Sequence, residues 1–225
     1  MIDRPEPLRW LAKWKNRELV KTITGVRRCG KSTLLSLFRE ELLRDGVPQE
    51  RILSLNFEHP DFSRIANDAD LMEWLRPRLA QEGTTYVFLD EIQRVARFER
   101  AVDGLIALGN VDVYITGSNA YLLSGELATY LTGRYVELHL FPFSFREWFE
   151  GIGEKTASPE RAWAEYLRYS TFPHDPMIHS DPRMVDDWLD GIYNSVLRKD
   201  VLARHAFRIP IVLDAVTRFL FDNVG

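Results

Sequence analysis

Gly25-Val26-Arg27-Arg28-Cys29-Gly30-Lys31-Ser32 fits the phosphate-binding pattern G-x-x-x-x-G-K-[ST] without a gap. The six residues before it, Leu19-Val20-Lys21-Thr22-Ile23-Thr24, read as a buried strand, and residues 33–43 read as an amphipathic helix. This is the strand–loop–helix setting that the motif requires. Two glycines let the backbone curl so that its N–H groups point inward at a phosphate. The helix start adds free N–H groups and the positive end of a dipole. Lys31 can then reach the terminal phosphates, and the Ser32 hydroxyl can hold magnesium. The expected nucleotide contacts are Gly25, Val26, Arg27, Arg28, Cys29, Gly30, Lys31, Ser32 and Thr33. An ordinary glycine turn is the bland alternative, and the flanking elements argue against it.

Composition bounds the class. The 225 residues are 45% hydrophobic and 28% charged, as expected of a soluble globular chain with one large domain and a small one. No apolar run approaches the ~20 residues that span a bilayer, and the start, Met1-Ile2-Asp3-Arg4-Pro5, has no signal-peptide pattern. A single cysteine excludes an intramolecular disulfide and fits a reducing, cytoplasmic location. The net charge of −4 argues against bulk attraction to nucleic acid but leaves room for a local basic patch.

Strands and helices alternate for about two thirds of the chain. Strands are expected at residues 19–24, 51–57, 84–90, 111–116 and 135–140, with helices near 33–43, 70–79 and 98–108. That alternation predicts an α/β fold: a parallel five-stranded sheet covered by helices on both faces. From Phe145 onward the period changes, and residues 160–169, 183–202 and 211–221 read as helices with no strand between them. Residues 151–159 are the best linker. The expected organisation is a nucleotide-binding domain over 1–150 and a small all-helical lid over 151–225.

A second motif is Tyr86-Val87-Phe88-Leu89-Asp90-Glu91. An apolar strand ending in two acids places carboxylates at the edge of the sheet where ligands of open α/β sheets sit. Asp90 would hold magnesium, and Glu91 would act as general base on the attacking water. Paired with the upstream loop, the adjacent acids point to water as acceptor, hence hydrolysis. No hydroxyl-substrate site of a kinase and no Asn-Lys-x-Asp guanine signature is found. A third candidate is Ser118, then Asn119, after the fourth strand, expected between the two motif strands. Either can orient the water, or each can simply cap a helix. A fourth is Arg134, which can reach a neighbouring subunit's γ-phosphate or make a surface ion pair.

With Phe88-Leu89-Asp90-Glu91-Ile92-Gln93, Thr116-Gly117-Ser118-Asn119-Ala120, Leu131-Thr132-Gly133-Arg134-Tyr135 and Phe141-Pro142-Phe143-Ser144-Phe145-Arg146-Glu147-Trp148 following the loop in order, the chain resembles a family of uncharacterised prokaryotic AAA+-type P-loop ATPases. Its pattern is GxRRxGKS/T … DEIQ … TGS … LxGR … PxSFxE. The resemblance implies an AAA+ core with a helical lid, the roles above for Lys31, Ser32, Asp90 and Glu91, and an arginine finger at Arg134. Ser195-Val196-Leu197-Arg198-Lys199-Asp200-Val201 looks like a helical stretch of the same family. The chain departs from the pattern at Ser170-Thr171-Phe172-Pro173, where Gly-Gly often precedes Phe-Pro. Such proteins usually continue into a further domain, so a fragment or a natural truncation is expected.

Other residues have plainer readings. Arg94, Arg97 and Arg100 share one face if helical, and read first as a solvated stripe. Arg27 and Arg28 face either phosphate or a neighbouring acid. Cys29, beside a helix start and two arginines, is either a low-pKa thiol shielded by nucleotide or a buried, inert one. His139, His174, His179 and His205 lack metal-ligand spacing. Trp10, Trp14 and Trp163 read as core or domain-contact residues. The expected function is Mg2+-dependent ATP binding and hydrolysis that drives or switches a protein partner, in a homo-oligomer. The alternative is a slow ATP-dependent switch with little turnover, associated with DNA in its weakest form; no membrane partner is expected.

Overall fold

Each apolar run expected to be a strand is one. β1 (Val20–Thr24), β2 (Ile52–Asn56), β3 (Thr85–Asp90), β4 (Val111–Gly117) and β5 (Tyr135–His139) form one parallel sheet in the order β2-β3-β4-β1-β5. The structure is a computed structural model that describes residues 2, 4–117, 131, 133–151, 158–169, 172–173, 182–196 and 210–223. β4 thus lies between the strand that feeds the phosphate loop and the strand that carries the acids. The helices among the described residues are α1 (Pro5–Trp14), α2 (Lys31–Arg44), α3 (Asp68–Leu75), α4 (Phe98–Ala107), α5 (Phe145–Gly151), α6 (Pro159–Tyr169), α7 (Pro182–Ser195) and α8 (Pro210–Asp222). None is long and apolar enough to cross a membrane.

The period of two along each strand builds two cores. Val87 and Leu89 of β3, with Val113 and Ile115 of β4, pack against Leu71 and Leu75 of α3 and Val102 and Leu105 of α4. The alternate residues Tyr86, Phe88 and Tyr114 join Leu11 of α1 and Leu34, Phe38 and Leu42 of α2 on the other face. Phe88 and Tyr114 stack at 4.8 Å. α1 and α5 have no counterpart in the sequence reading; α1 begins at a proline and α5 within an aromatic run.

Met1–Asp175 and Pro176–Gly225 form two compact units. The division falls beyond the linker expected at 151–159, because α5 and α6 bury Phe143, Trp148 and Ala162 in a cluster of their own within the first unit. Trp163, expected in a core or domain contact, is instead 46% exposed beside that cluster, with its ring 4.9 Å from Phe145. The second unit contains α7 and α8 among its described residues.

At the end of the sheet away from the phosphate loop, Lys21 and Asp112 are wholly buried and paired across β1 and β4. Asp112 also accepts from the Asn16 N–H at 2.8 Å and the Tyr114 hydroxyl at 2.9 Å, while the Lys21 ammonium donates to the Arg17 carbonyl at 2.7 Å. Burial pushes the Lys21 pKa down, and the Asp112 carboxylate opposes that shift. The pair tolerates its loss of water because each charge meets several partners. Lys21→Met leaves the carboxylate buried without its cation and should cost about 3–5 kcal/mol, read from urea unfolding. A loss under about 1 kcal/mol would show that the carboxylate is compensated elsewhere.

Candidate functional site

The phosphate loop takes its shape from two glycines, one where a side chain has no room and one whose backbone angle disfavours it. Gly25 has φ +153°, and a Cβ there would lie 2.3 Å from the Leu140 carbonyl oxygen. Gly30 has φ +99° and opens α2. Arg28, at φ +65°, takes a left-handed conformation unusual for a non-glycine residue. The Lys31 side chain folds back inside the loop, donating to the Gly25 and Val26 carbonyls at 3.2 Å each. Its ammonium lies 3.7 Å from Glu91 Oε1, and both residues are more than nine-tenths buried.

The acids are held by β4. The Thr116 hydroxyl donates to Asp90 Oδ1 and accepts from the Glu91 N–H at 3.0 Å. Glu91 sits at φ +57°, and its Oε2 accepts from the Gln93 amide at 2.6 Å. Phosphate loop, Asp90 and Glu91 therefore share the carboxyl edge of the sheet. The chemistry of the donors suits magnesium: the Ser32 hydroxyl and the Asp90 carboxylate are hard oxygen ligands, and two protein ligands are usual for an ion that keeps its waters and binds phosphate. Among the described residues no hydrogen-bond donor reaches the second Asp90 oxygen.

The other expected residues fall differently. Ser118 and Asn119 lie outside the described residues. Arg134 precedes β5, and its carbonyl accepts from the Val20 N–H at 2.9 Å. That is the opposite end of β1 from the phosphate loop, about 13 Å away along the strand. Its guanidinium, 58% exposed, pairs with Asp103 of α4 at 3.0 Å. The arginine stripe is no single helical face: Arg94 belongs to a 3-10 turn and Arg97, at φ +56°, precedes α4. Arg94 pairs with Glu58 and Arg97 with Asp68, at 2.8 Å each. Arg27 faces Glu58 at 3.5 Å, the neighbouring-acid alternative.

Thr116, Gln93 and Arg4 contact the loop or the acids and were given no role by sequence reasoning. Thr116 and Gln93 lay in quoted motifs without an assigned role. Arg4 carried no local signal: its guanidinium donates to the Cys29 carbonyl at 3.1 Å and the Phe141 carbonyl at 2.9 Å. A cavity of about 710 Å3 is lined by Arg4, His139, Phe141, Arg146, Glu147 and Tyr166 among others, and residues 25–33 do not line it. It is therefore distinct from the phosphate site.

A parallel sheet of this order with a phosphate loop after β1 and paired acids after β3 defines a P-loop nucleotide-binding domain of the AAA+ class. A family model for the AAA domain matches residues 17–149, and the chain belongs to that family. It is similar, at 36% identity over 228 residues, to an uncharacterized protein of Haemophilus influenzae, covering 100% of this chain and 56% of that protein. An uncharacterized protein of Methanocaldococcus jannaschii is 30% identical over 201 residues, covering 84% of this chain and 43% of its own length. The chain thus spans about half the length of these relatives. Among solved structures it is similar in fold to the S. cerevisiae Hsp104:casein complex in its extended conformation, with TM-score 0.55 and 15% identity, over 89% of this chain and 39% of that one.

Cys29 corrects the low-pKa alternative. It is fully buried, and desolvation pushes its pKa up against the weaker pull of Lys31 and Arg4. A raised pKa means less thiolate at neutral pH. The native protein should therefore react slowly with a thiol reagent and quickly once unfolded in denaturant. Labelling of the native protein at the rate of a free thiol would overturn this assignment.

Proposed function

We propose that this domain is a cytoplasmic ATPase that binds Mg-ATP at the 25–33 loop and hydrolyses it to drive or switch a protein partner. The observation that carries the reading is the convergence of Lys31 and Glu91, 3.7 Å apart at the mouth of the loop, with Asp90 beside them. Lys31 exchanges two loop carbonyls and a carboxylate for phosphate oxygens. Glu91, released from Lys31, takes the proton of the attacking water. Ser32 and Asp90 would hold magnesium, which supplies charge neutralisation at the phosphates. Ser118 and Asn119 stay candidates for orienting the water. ATP is preferred over GTP on the family resemblance and the missing guanine signature.

The 2.6 Å bond from Gln93 to Glu91 favours a second reading, a slow switch in which the base is held back. The multiple-turnover rate, with and without candidate partners, separates the two. Lys31→Ala should weaken nucleotide binding strongly, while Glu91→Gln should leave binding nearly intact and lower turnover by ~10²-fold or more. Nucleotide titration and phosphate release measure both. Wild-type hydrolysis by the Glu91→Gln protein would remove Glu91 as the base.

Arg134 is proposed to act on a neighbouring subunit's nucleotide, within a homo-oligomer. Its place at the far end of the sheet argues against action on its own phosphate loop, and its exposed pair with Asp103 is weak enough to exchange. Arg134→Ala should cut turnover ~10³-fold and leave affinity within a small factor. Mixing Arg134→Ala with Glu91→Gln should restore activity, since some interfaces join an intact Glu91 to an intact Arg134. No recovery, together with activity independent of protein concentration in the wild type, would make Arg134 structural.

A further inference from the structure

Arg4 lies before α1 and outside residues 17–149, yet its guanidinium joins three other chain segments. Nη1 donates to the Cys29 carbonyl in the phosphate loop at 3.1 Å. Nη2 donates to the Phe141 carbonyl just after β5 at 2.9 Å. Nε donates to Glu147 Oε1 at 2.8 Å, and the guanidinium lies 5.2 Å from the centre of the Phe143 ring. The residue is 6% exposed.

Its carboxylate partner is itself fixed. Glu147 Oε2 accepts from the Ser144 N–H at 2.8 Å and the Ser144 hydroxyl at 2.9 Å, and the Glu147 N–H donates back to the Ser144 oxygen at 3.3 Å. That reciprocal pair is a capping box at the start of α5. It gives a physical meaning to the Ser144-Phe145-Arg146-Glu147 part of the last motif: the cap holds the carboxylate, and the carboxylate holds Arg4.

We infer that Arg4 is a positioning residue of the phosphate loop, which orients the Cys29–Gly30 peptide for phosphate through the Cys29 carbonyl. A planar trans peptide points its C=O and N–H in opposite directions. With the Cys29 carbonyl held on Arg4, the Gly30 N–H of the same peptide points away from the guanidinium and is left for phosphate. Gly30, at φ +99°, has no side chain to hold that plane by packing, so the hydrogen bond sets it. A guanidinium can serve this carbonyl, the Phe141 carbonyl and the carboxylate at once, whereas an ammonium has one nitrogen.

This inference rests on the nucleotide reading above. The test is titration of the wild-type, Arg4→Ala, Arg4→Lys and Glu147→Gln proteins with a fluorescent ATP analogue and Mg2+, reading Kd and stoichiometry separately. Arg4→Ala should raise Kd about 10- to 100-fold, the worth of one charge-assisted hydrogen bond, with near-full stoichiometry. Arg4→Lys should keep the pairing charge and the thermal midpoint yet still raise Kd about 10-fold. Glu147→Gln, which keeps the capping pattern, should fold and give a smaller rise. A purely structural arginine would lower stoichiometry and thermal midpoint with Kd unchanged, and Arg4→Lys would restore both; that result overturns the proposal alone. Absence of binding by the wild type overturns the nucleotide reading and this inference with it.

Discussion

One threonine hydroxyl fixes the acidic end of the sheet. Thr116 donates to Asp90 and accepts from the Glu91 N–H, so a single β4 side chain holds the Asp90 carboxylate and the backbone of Glu91, the residue after β3. Glu91 needs that support. A left-handed backbone at a non-glycine residue costs about 1–3 kcal/mol and persists only where the surroundings determine it. The strain turns the Glu91 side chain off the strand line and toward Lys31. A glutamate that continued the extended strand would alternate to the other face. Because β4 lies beside β3, its Thr116 hydroxyl can meet the Asp90 carboxylate and the Glu91 N–H together, and so hold the backbone at the point where Glu91 leaves the strand.

Much of this was legible in the sequence, for reasons of range. The five strands and the phosphate loop announce themselves through contiguous apolar runs and one fixed spacing, signals that arise within ten residues. The place of β4 between the two motif strands was expected from the same reading, whereas the outer positions of β2 and β5 were not assigned. What stayed hidden depends on contacts between distant segments. Arg4 reaches across 25 residues to Cys29 and 143 to Glu147, and no periodicity records such a pairing. The Arg94, Arg97 and Arg100 spacing suggested a helical face, but a 3-10 turn and a left-handed residue interrupt it. Cys29 shows competing forces: the helix start and neighbouring cations are local and visible, whereas the desolvation that outweighs them comes from packing against Gly25 and the second core.

Charge is distributed with the same division. The pair in the sheet core, Lys21 and Asp112, has several hydrogen-bonding partners on each side. Arg94, Arg97 and Arg134 each meet an acid at the surface, where such pairs are worth about 0–1 kcal/mol. Arg94 and Arg27 share Glu58, and Arg97 takes Asp68. Two arginines of the expected stripe, Arg94 and Arg97, thus face acids of their own domain.

The phosphate loop is gripped from both sides by cations that use its carbonyls and spare its N–H groups. Lys31 takes the Gly25 and Val26 oxygens from inside, and Arg4 takes the Cys29 oxygen from outside. The two grips differ in permanence. Lys31 holds its carbonyls at 3.2 Å and its carboxylate at 3.7 Å, an arrangement that an incoming phosphate can replace. Arg4 is locked by a bidentate carboxylate, which a helix cap fixes in turn. A loop whose outer carbonyl is fixed and whose inner ones are exchangeable keeps its curvature while its charge partner changes. That is the mechanical requirement for an anion cradle that binds and releases without refolding.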